Sequence, residues 1–189
     1  KSFRAQMYSE YKANRPPMPE DLKVQVEYVH KIVKALGFPL VQVEGVEADD
    51  VLGTYAKLAS ANNLKTIICT GDKDLAQLVD DNVILYDSMK ETFLDKEGVA
   101  QKFGVAPEYI IDFLALKGDS SDNIPGVAGV GEKTASDLIQ RFHSIDYIYD
   151  NLPELDIKDG VKAKLTAGKD SAYLSRYLGT ICLEAPINT

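Results

Sequence analysis

Three short segments concentrate carboxylates that could act together. Glu47, Asp49 and Asp50 fall in "VEGVEADDVLG", Asp72 and Asp74 in "ICTGDKDLAQL", and Asp119 and Asp122 in "LKGDSSDNIPG". The first two clusters each follow an apolar, β-branched run and open a helix-like one, where a parallel sheet gathers ligand sites outside the carboxyl ends of its strands. Glu47 and Asp50, three apart, can share a helix face. An aspartate at a helix N-terminus also has a simpler use: it accepts hydrogen bonds from free backbone N–H groups in the favourable field of the helix dipole. That use accounts for one acid per helix. Seven converging carboxylates go further, because two charges roughly 4 Å apart repel by about 4 kcal/mol at an effective dielectric of about 20. A hard divalent cation removes the repulsion, and an all-oxygen donor set suits magnesium or manganese.

The third cluster runs directly into "IPGVAGVGEKTASDLIQRF", where Gly126, Gly129 and Gly131 free the backbone for a tight turn before a helix starts. Such a turn can present backbone N–H groups to a phosphate, with Lys133 and Thr134 adding a cation and a hydroxyl. The same spacing fits a plain helical hairpin with glycine at the bend. On the first reading the acids hold metal for chemistry on a phosphodiester, while the turn grips the duplex carrying it without reading its sequence.

These residues need elements to position them. "DLKVQVEYVHKIVKALG" repeats Leu22, Val26, Val29, Val33 and Leu36 at helical spacing and ends on Gly37, which predicts a helix with one buried stripe. "PLVQVE", "KTIICT" and "NVILYD" read as strands, with helical "ADDVLGTYAKLAS" and "DLAQLV" between them, so the first part predicts a parallel sheet covered by helices. From "KEGVAQKFG" onward the chain reads as a helical cluster, with "TICLEA" as a returning strand. "NRPPMPED" is a stiff, extended connector.

The formal charge of −8 is uneven. Residues 1–40 carry seven Lys/Arg against four Asp/Glu, and residues 41–123 seven against sixteen. The acidity therefore sits where the carboxylate clusters are. No apolar run approaches the roughly 20 residues that span a bilayer, and the start lacks a signal-peptide core, so a cytoplasmic protein is expected. Cys69 and Cys182 lie in apolar runs without ligand spacing and are expected to be buried free thiols; His30 and His143 are isolated structural residues.

In order and spacing, "EYKANRPPMPEDL", "GVEADDVLGT", "TGDKDLAQLV" and "FLALKGDSSDNIPGVAGVGEKTA" resemble the 5' nuclease family of bacterial DNA polymerase I, of flap-endonuclease type, over nearly the whole chain. The resemblance implies an α/β fold: a resolvase-like or PIN-like core with a parallel-rich sheet over residues 1–117, then a helix-three-turn-helix DNA-binding region over 118–189. It implies a bacterial, divalent-metal-dependent 5'-3' exonuclease and flap endonuclease, acting in replication and repair on DNA with a 5' flap or a 5' end on duplex. Glu47, Asp49, Asp50, Asp72, Asp74, Asp119 and Asp122 become its metal-site acids for two Mg2+ or Mn2+ ions, not all of them touching metal. Lys12 and Arg15 match the basic arch and become catalytic cations. Tyr8 and Tyr11 stack on an unpaired base or pack the first helix. Gly129, Gly131, Lys133 and Thr134 grip the duplex, with K+ at the turn. The closing "EAPINT" resembles the family's exit toward a covalently linked polymerase domain.

The family pattern opens with two further strand-borne aspartates that have no counterpart here. Activity is therefore expected of the complete domain, and the 189 residues alone are expected to lack part of the metal shell. Two rivals stand beside this reading. A non-catalytic duplex-binding fragment would keep the hairpin alone. A small-molecule phosphohydrolase would need a nucleophilic aspartate in a D-x-D motif, which only Asp72 to Asp74 offers, and would leave the glycine turn without a role.

Overall fold

A computed structural model describes residues 2–187. Strands β1 (Thr66–Cys69), β2 (Val83–Asp87) and β3 (Thr92–Leu94) form one sheet in the order β1-β2-β3. β1 and β2 are parallel, from Thr66 opposite Val83 to Cys69 opposite Tyr86, and a 3-10 turn at Lys73–Leu78 lies in the connection between them. β3 returns antiparallel, with Phe93 opposite Tyr86. The period of two sends Ile68, Val83 and Leu85 into the core, while Ile67 and Phe93 on the other face stay largely exposed.

The core continues without a break from this sheet face into a helical cluster. Its axis is α5 (Ile110–Lys117), where Ile110, Phe113, Leu114, Ala115 and Leu116 are all buried because α6 (Glu132–Phe142) and α9 (Lys169–Gly179) pack against it. α6 turns Ala135, Leu138 and Ile139 inward, with Phe142 partly buried against the same core. Ahead of them α4 (Lys96–Phe103) carries both end signals: the Asp95 carboxylate accepts from the Gly98 N–H, and Gly104 closes it at φ +74°. α7 (Ile145–Asp150) and α8 (Asp159–Ala167) complete the cluster. α1 (Phe3–Met7) and α3 (Ala48–Ala61) frame the acid clusters.

Four expectations are corrected. α2 (Glu20–Ala35) forms where its periodicity places it, but it buries no residue; Leu22, Val29 and Leu36 are 47%, 53% and 67% exposed. Periodicity reports a face, and no described element packs extensively on that face. "PLVQVE" is not a strand, since no described strand lies beside it to complete a ladder. "TICLEA" is not a strand either: its N–H groups at Ile181, Cys182 and Ala185 go to side chains of Gln77, Asp50 and Thr54. Cys69 is exposed on strand β1 at the end of the order β1-β2-β3 and Cys182 is half-buried, and both are free thiols.

Candidate metal centre and duplex interface

Two of the acid clusters sit at the start of a local element, and the third lies in a loop after α5. Glu47 is the residue before α3, and Asp50 in its first turn accepts from the Glu47 N–H at 2.9 Å. Asp72 precedes the 3-10 turn and accepts from the Asp74 N–H at 3.0 Å, so the capping use is realised there. Asp119 and Asp122 lie in a loop closed by a two-way backbone pairing between Asp119 and Ile124. Gly118 (φ +75°) and Gly126 (φ +63°) lie back to back at its base; a Cβ on Gly118 would meet the Ile124 carbonyl oxygen at 2.6 Å. Only glycine fits that approach.

The basic loop joins the clusters. The Lys12 N–H donates to the Asp122 carbonyl at 2.9 Å, Asn14 Nδ2 to the Ser120 carbonyl at 2.7 Å, and Asn123 Nδ2 to the Glu10 carbonyl at 2.6 Å. "EYKANR" is thereby fastened across "DSSDN", over a hundred residues away. The Lys12 ammonium donates to Glu47 Oε1 at 2.7 Å and lies 3.5 Å from Asp122 Oδ2, and the half-exposed Arg15 pairs with Asp122 Oδ1. Burial opposes the charge on Lys12, but the bonds to Glu47 and Tyr11 hold its pKa above the usual lysine value. Lys73, which was not among the expected site residues although it stands between Asp72 and Asp74, reaches Asp119 Oδ1 at 2.8 Å. Burial works against the Asp119 carboxylate, but Lys73 and Ser121 hold its pKa below the ordinary range.

Among the described residues no cation lies within ion-pair distance of Asp49, Asp72 or Asp74. Burial, then Asp72 and Asp119, push the Asp74 carboxyl up to about 7, and burial with Asp72 raises Asp49 as well. Asp74 Oδ1 and Asp119 Oδ2 are buried without a hydrogen-bond partner. Among the described residues no three His, Cys, Asp or Glu side chains stand ready to ligate one ion, and Lys12, Arg15 and Lys73 hold Glu47, Asp122 and Asp119 in ion pairs. The two orphaned oxygens and the all-oxygen donors around them nonetheless fit a hard divalent cation, which would meet a need that the protein's own groups leave open.

Asp50 stands apart. It is fully buried and takes a bidentate ion pair from Arg4, which sequence reasoning missed because an arginine in a five-residue helix carries no local signal. Tyr11 is 7% exposed, packs with Ile124 and Leu178, and donates to Glu47 Oε2 at 3.0 Å. Tyr8 leans on the same cluster, half-buried.

The glycine turn faces outward. Gly129 (φ +78°), Gly131 and Lys133 are exposed and Thr134 is half-buried at the start of α6. Lys133, Thr134, Arg141 and Lys158 line a cleft of ≈ 500 Å³ that Asp137 and Asp156 share. At the turn the Lys164 ammonium donates to the Gly129 carbonyl at 3.1 Å.

A small mixed sheet with carboxylates beyond the carboxyl end of β1 and at the start of α3 is joined to a helical cluster led by an outward glycine turn. The chain belongs to the 5'-3' exonuclease family: residues 1–104 match its N-terminal resolvase-like domain and residues 105–189 its C-terminal SAM fold. It is 53% identical over 95% of its length to DNA polymerase I of Pseudomonas aeruginosa, of which it spans 20%. It is 41% identical over its whole length to a 5'-3' exonuclease of Buchnera aphidicola subsp. Baizongia pistaciae, of which it spans 64%. Among solved structures, a variant of the bacteriophage T5 D15 flap endonuclease in a pseudo-enzyme-product complex with DNA and metal ions superposes with a TM-score of 0.79. It is 27% identical, over 97% of this chain and 71% of that one. No helix of the described residues is long and apolar enough to cross a membrane.

Proposed function

We propose that this chain supplies the acid site and the duplex grip of a divalent-metal-dependent 5'-3' exonuclease and flap endonuclease that hydrolyses DNA phosphodiester bonds. The observation that carries the reading is the pair of buried, unbonded carboxylate oxygens on Asp74 and Asp119, with a basic loop fastened across the neighbouring Asp122. Glu47, Asp49, Asp72, Asp74, Asp119 and Asp122 form the donor set for two Mg2+ or Mn2+ ions. Ions held by these acids would supply Lewis-acid chemistry for attack of a water on the phosphorus and departure of the 3' oxygen, and the product would carry a 5' phosphate.

The chain's own groups do the rest. Lys12 and Arg15 hold positive charge beside the acids, where phosphate oxygens gain charge in the transition state. Lys73 pairs with Asp119. Gly129, Gly131, Lys133 and Thr134 hold the duplex backbone, and a K+ ion at the turn would compete with the Lys164 ammonium for the Gly129 carbonyl. The division at residues 117 and 118 separates the acid-bearing core from the gripping region, except that Asp119 and Asp122 cross it. The substrate is DNA with a 5' flap or a 5' end on duplex, in the bacterial cytoplasm, in a protein whose polymerase domain follows this region.

Cleavage of a labelled 5'-flap duplex with and without Mg2+ tests the reading, comparing this chain with a version extended upstream to the family's length. Magnesium-dependent cutting by either form supports it. Binding of duplex by both forms without cutting would replace it with a non-catalytic DNA-binding module.

A further inference from the structure

We propose that Asp50 and Arg4 are positioning residues rather than metal contacts: a buried clasp that ties the segment following α9 to the start of α3, and so holds the duplex grip at a fixed distance from the acids. The inference rests on the nuclease reading for its purpose, but not for its geometry.

Every bonding position of the pair is in use. The five N–H groups of Arg4 go to the Leu178 carbonyl (2.9 Å), Glu47 Oε2 (3.0 Å), Asp50 Oδ2 (2.9 Å), Asp50 Oδ1 (2.8 Å) and the Thr180 carbonyl (2.6 Å). Besides Arg4, Asp50 Oδ1 accepts from the Cys182 N–H and Oδ2 from the Glu47 N–H, each at 2.9 Å. A carboxylate offers about four acceptor positions, and all four are filled, which leaves none for an ion. Both side chains are almost completely buried, Arg4 at 3% and Asp50 at 0% exposure. Breaking such a pair strands a buried charge, so the protein keeps it closed.

The segment it holds is seated by further contacts. Gln77 accepts from the Ile181 N–H at 2.9 Å and donates to the Gly179 carbonyl at 2.8 Å. Thr54 Oγ1, one turn beyond Asp50, accepts from the Ala185 N–H at 3.0 Å. Gly53 has no room for a side chain, because a Cβ there would stand 2.6 Å from Ile181 Cγ2. At its other end α9 grips the glycine turn: Ser175 Oγ accepts from the Gly126 N–H at 2.8 Å, and Ser171 Oγ donates to the Gly126 carbonyl at 2.6 Å. A continuous chain of buried or half-buried bonds thus runs from Gly126 through α9 and Arg4 to Glu47.

Hydrogen exchange on the metal-free chain, with calorimetric titration of Mn2+, tests this without relying on turnover. Asp50→Asn is expected to speed exchange at Cys182 roughly 10- to 100-fold, with a smaller change at Ile181, and to leave Mn2+ stoichiometry unchanged. Asp49→Asn is expected to do the reverse, keeping Cys182 protected and weakening Mn2+ binding about tenfold or more. Should Asp50→Asn fail to fold, Arg4→Lys keeps the charge but gives up carbonyl bonds to Leu178 and Thr180, and is expected to release Cys182 in the same way. On a flap substrate the released variants should lose kcat with duplex affinity unchanged. If the parent does not cut the flap even when extended upstream, the nuclease reading fails while the exchange and Mn2+ results still decide the clasp. Mn2+ lost on Asp50→Asn with Cys182 still protected would make Asp50 a ligand and overturn the proposal, as would unchanged exchange in both variants.

Discussion

Asp74→Asn should stabilise the metal-free chain at pH 8 and abolish its response to magnesium. Asp74 Oδ1 is buried without a partner, and burial with Asp72 and Asp119 pushes the carboxyl from 3.8 up to about 7. A carboxyl whose folded pKa is raised binds its proton more tightly in the folded state than in the unfolded state. Its contribution therefore favours folding at low pH and is lost as pH rises from about 4 to about 7. The whole interval corresponds to about 4 kcal/mol at roughly 1.36 kcal/mol per pH unit. A buried amide recovers part of that and costs roughly 1–2 kcal/mol where its own groups go unpaired. A net gain of about 2–3 kcal/mol remains, which raises Tm by roughly 5–10 °C in a chain of this size. Asp119 works in the opposite direction and below pH 4, because Lys73 holds its pKa low, so the two do not overlap in the titration. Asp49 and Asp112, also raised, leave a residual slope in the variant. Magnesium at about 10 mM with a Kd of about 1 mM would add roughly 1.4 kcal/mol to the parent by mass action and nothing to the variant. The assay is thermal unfolding from pH 4 to 8, with and without Mg2+. A variant no more stable than the parent at pH 8, or one that gains as much from Mg2+, would refute the reasoning.

Three further outcomes are expected. Lys133→Ala should weaken binding to all duplex sequences alike and lower the slope of log affinity against log salt by about 0.9, as read by fluorescence anisotropy; loss confined to some sequences would contradict it. Lys12→Ala, in the intact domain, should lower flap-cleavage kcat by about 10²-fold while duplex affinity shifts far less, which single-turnover kinetics would separate. Gly53→Ala should cost about 2 kcal/mol by pressing a methyl into Ile181 and Leu183, lowering Tm by about 4–8 °C, and an unchanged Tm would mean that the segment after α9 is not seated there.

What the sequence displayed was the part that local rules govern. Asp95 with Gly104, the apolar run of α5 and the alternation of Val83 and Leu85 each announce an element within a few residues, and each appears. The acid clusters were legible for the same reason: their types and spacing are local. Long-range partnership was not. The stripe on α2 is periodic whether or not anything covers it, so its exposure had no signature. Fastening of the Lys12 loop to the Asp122 loop depends on backbone groups, which every residue possesses.

Asp50 shows the limit most clearly. Beside Asp49 it reads as one of two equivalent ligands, yet consecutive residues on a helix point about 100° apart. Asp49 lies near Asp72 and has no ion-pair partner among the described residues, while Asp50 turns inward to an arginine 46 positions away. On the proposed reading the two neighbours divide the work: the half-buried Asp49 would face an ion, and the buried Asp50 would fix where that acid stands. A constellation of acids at a metal site therefore needs sorting by free lone pairs, which only the fold reveals.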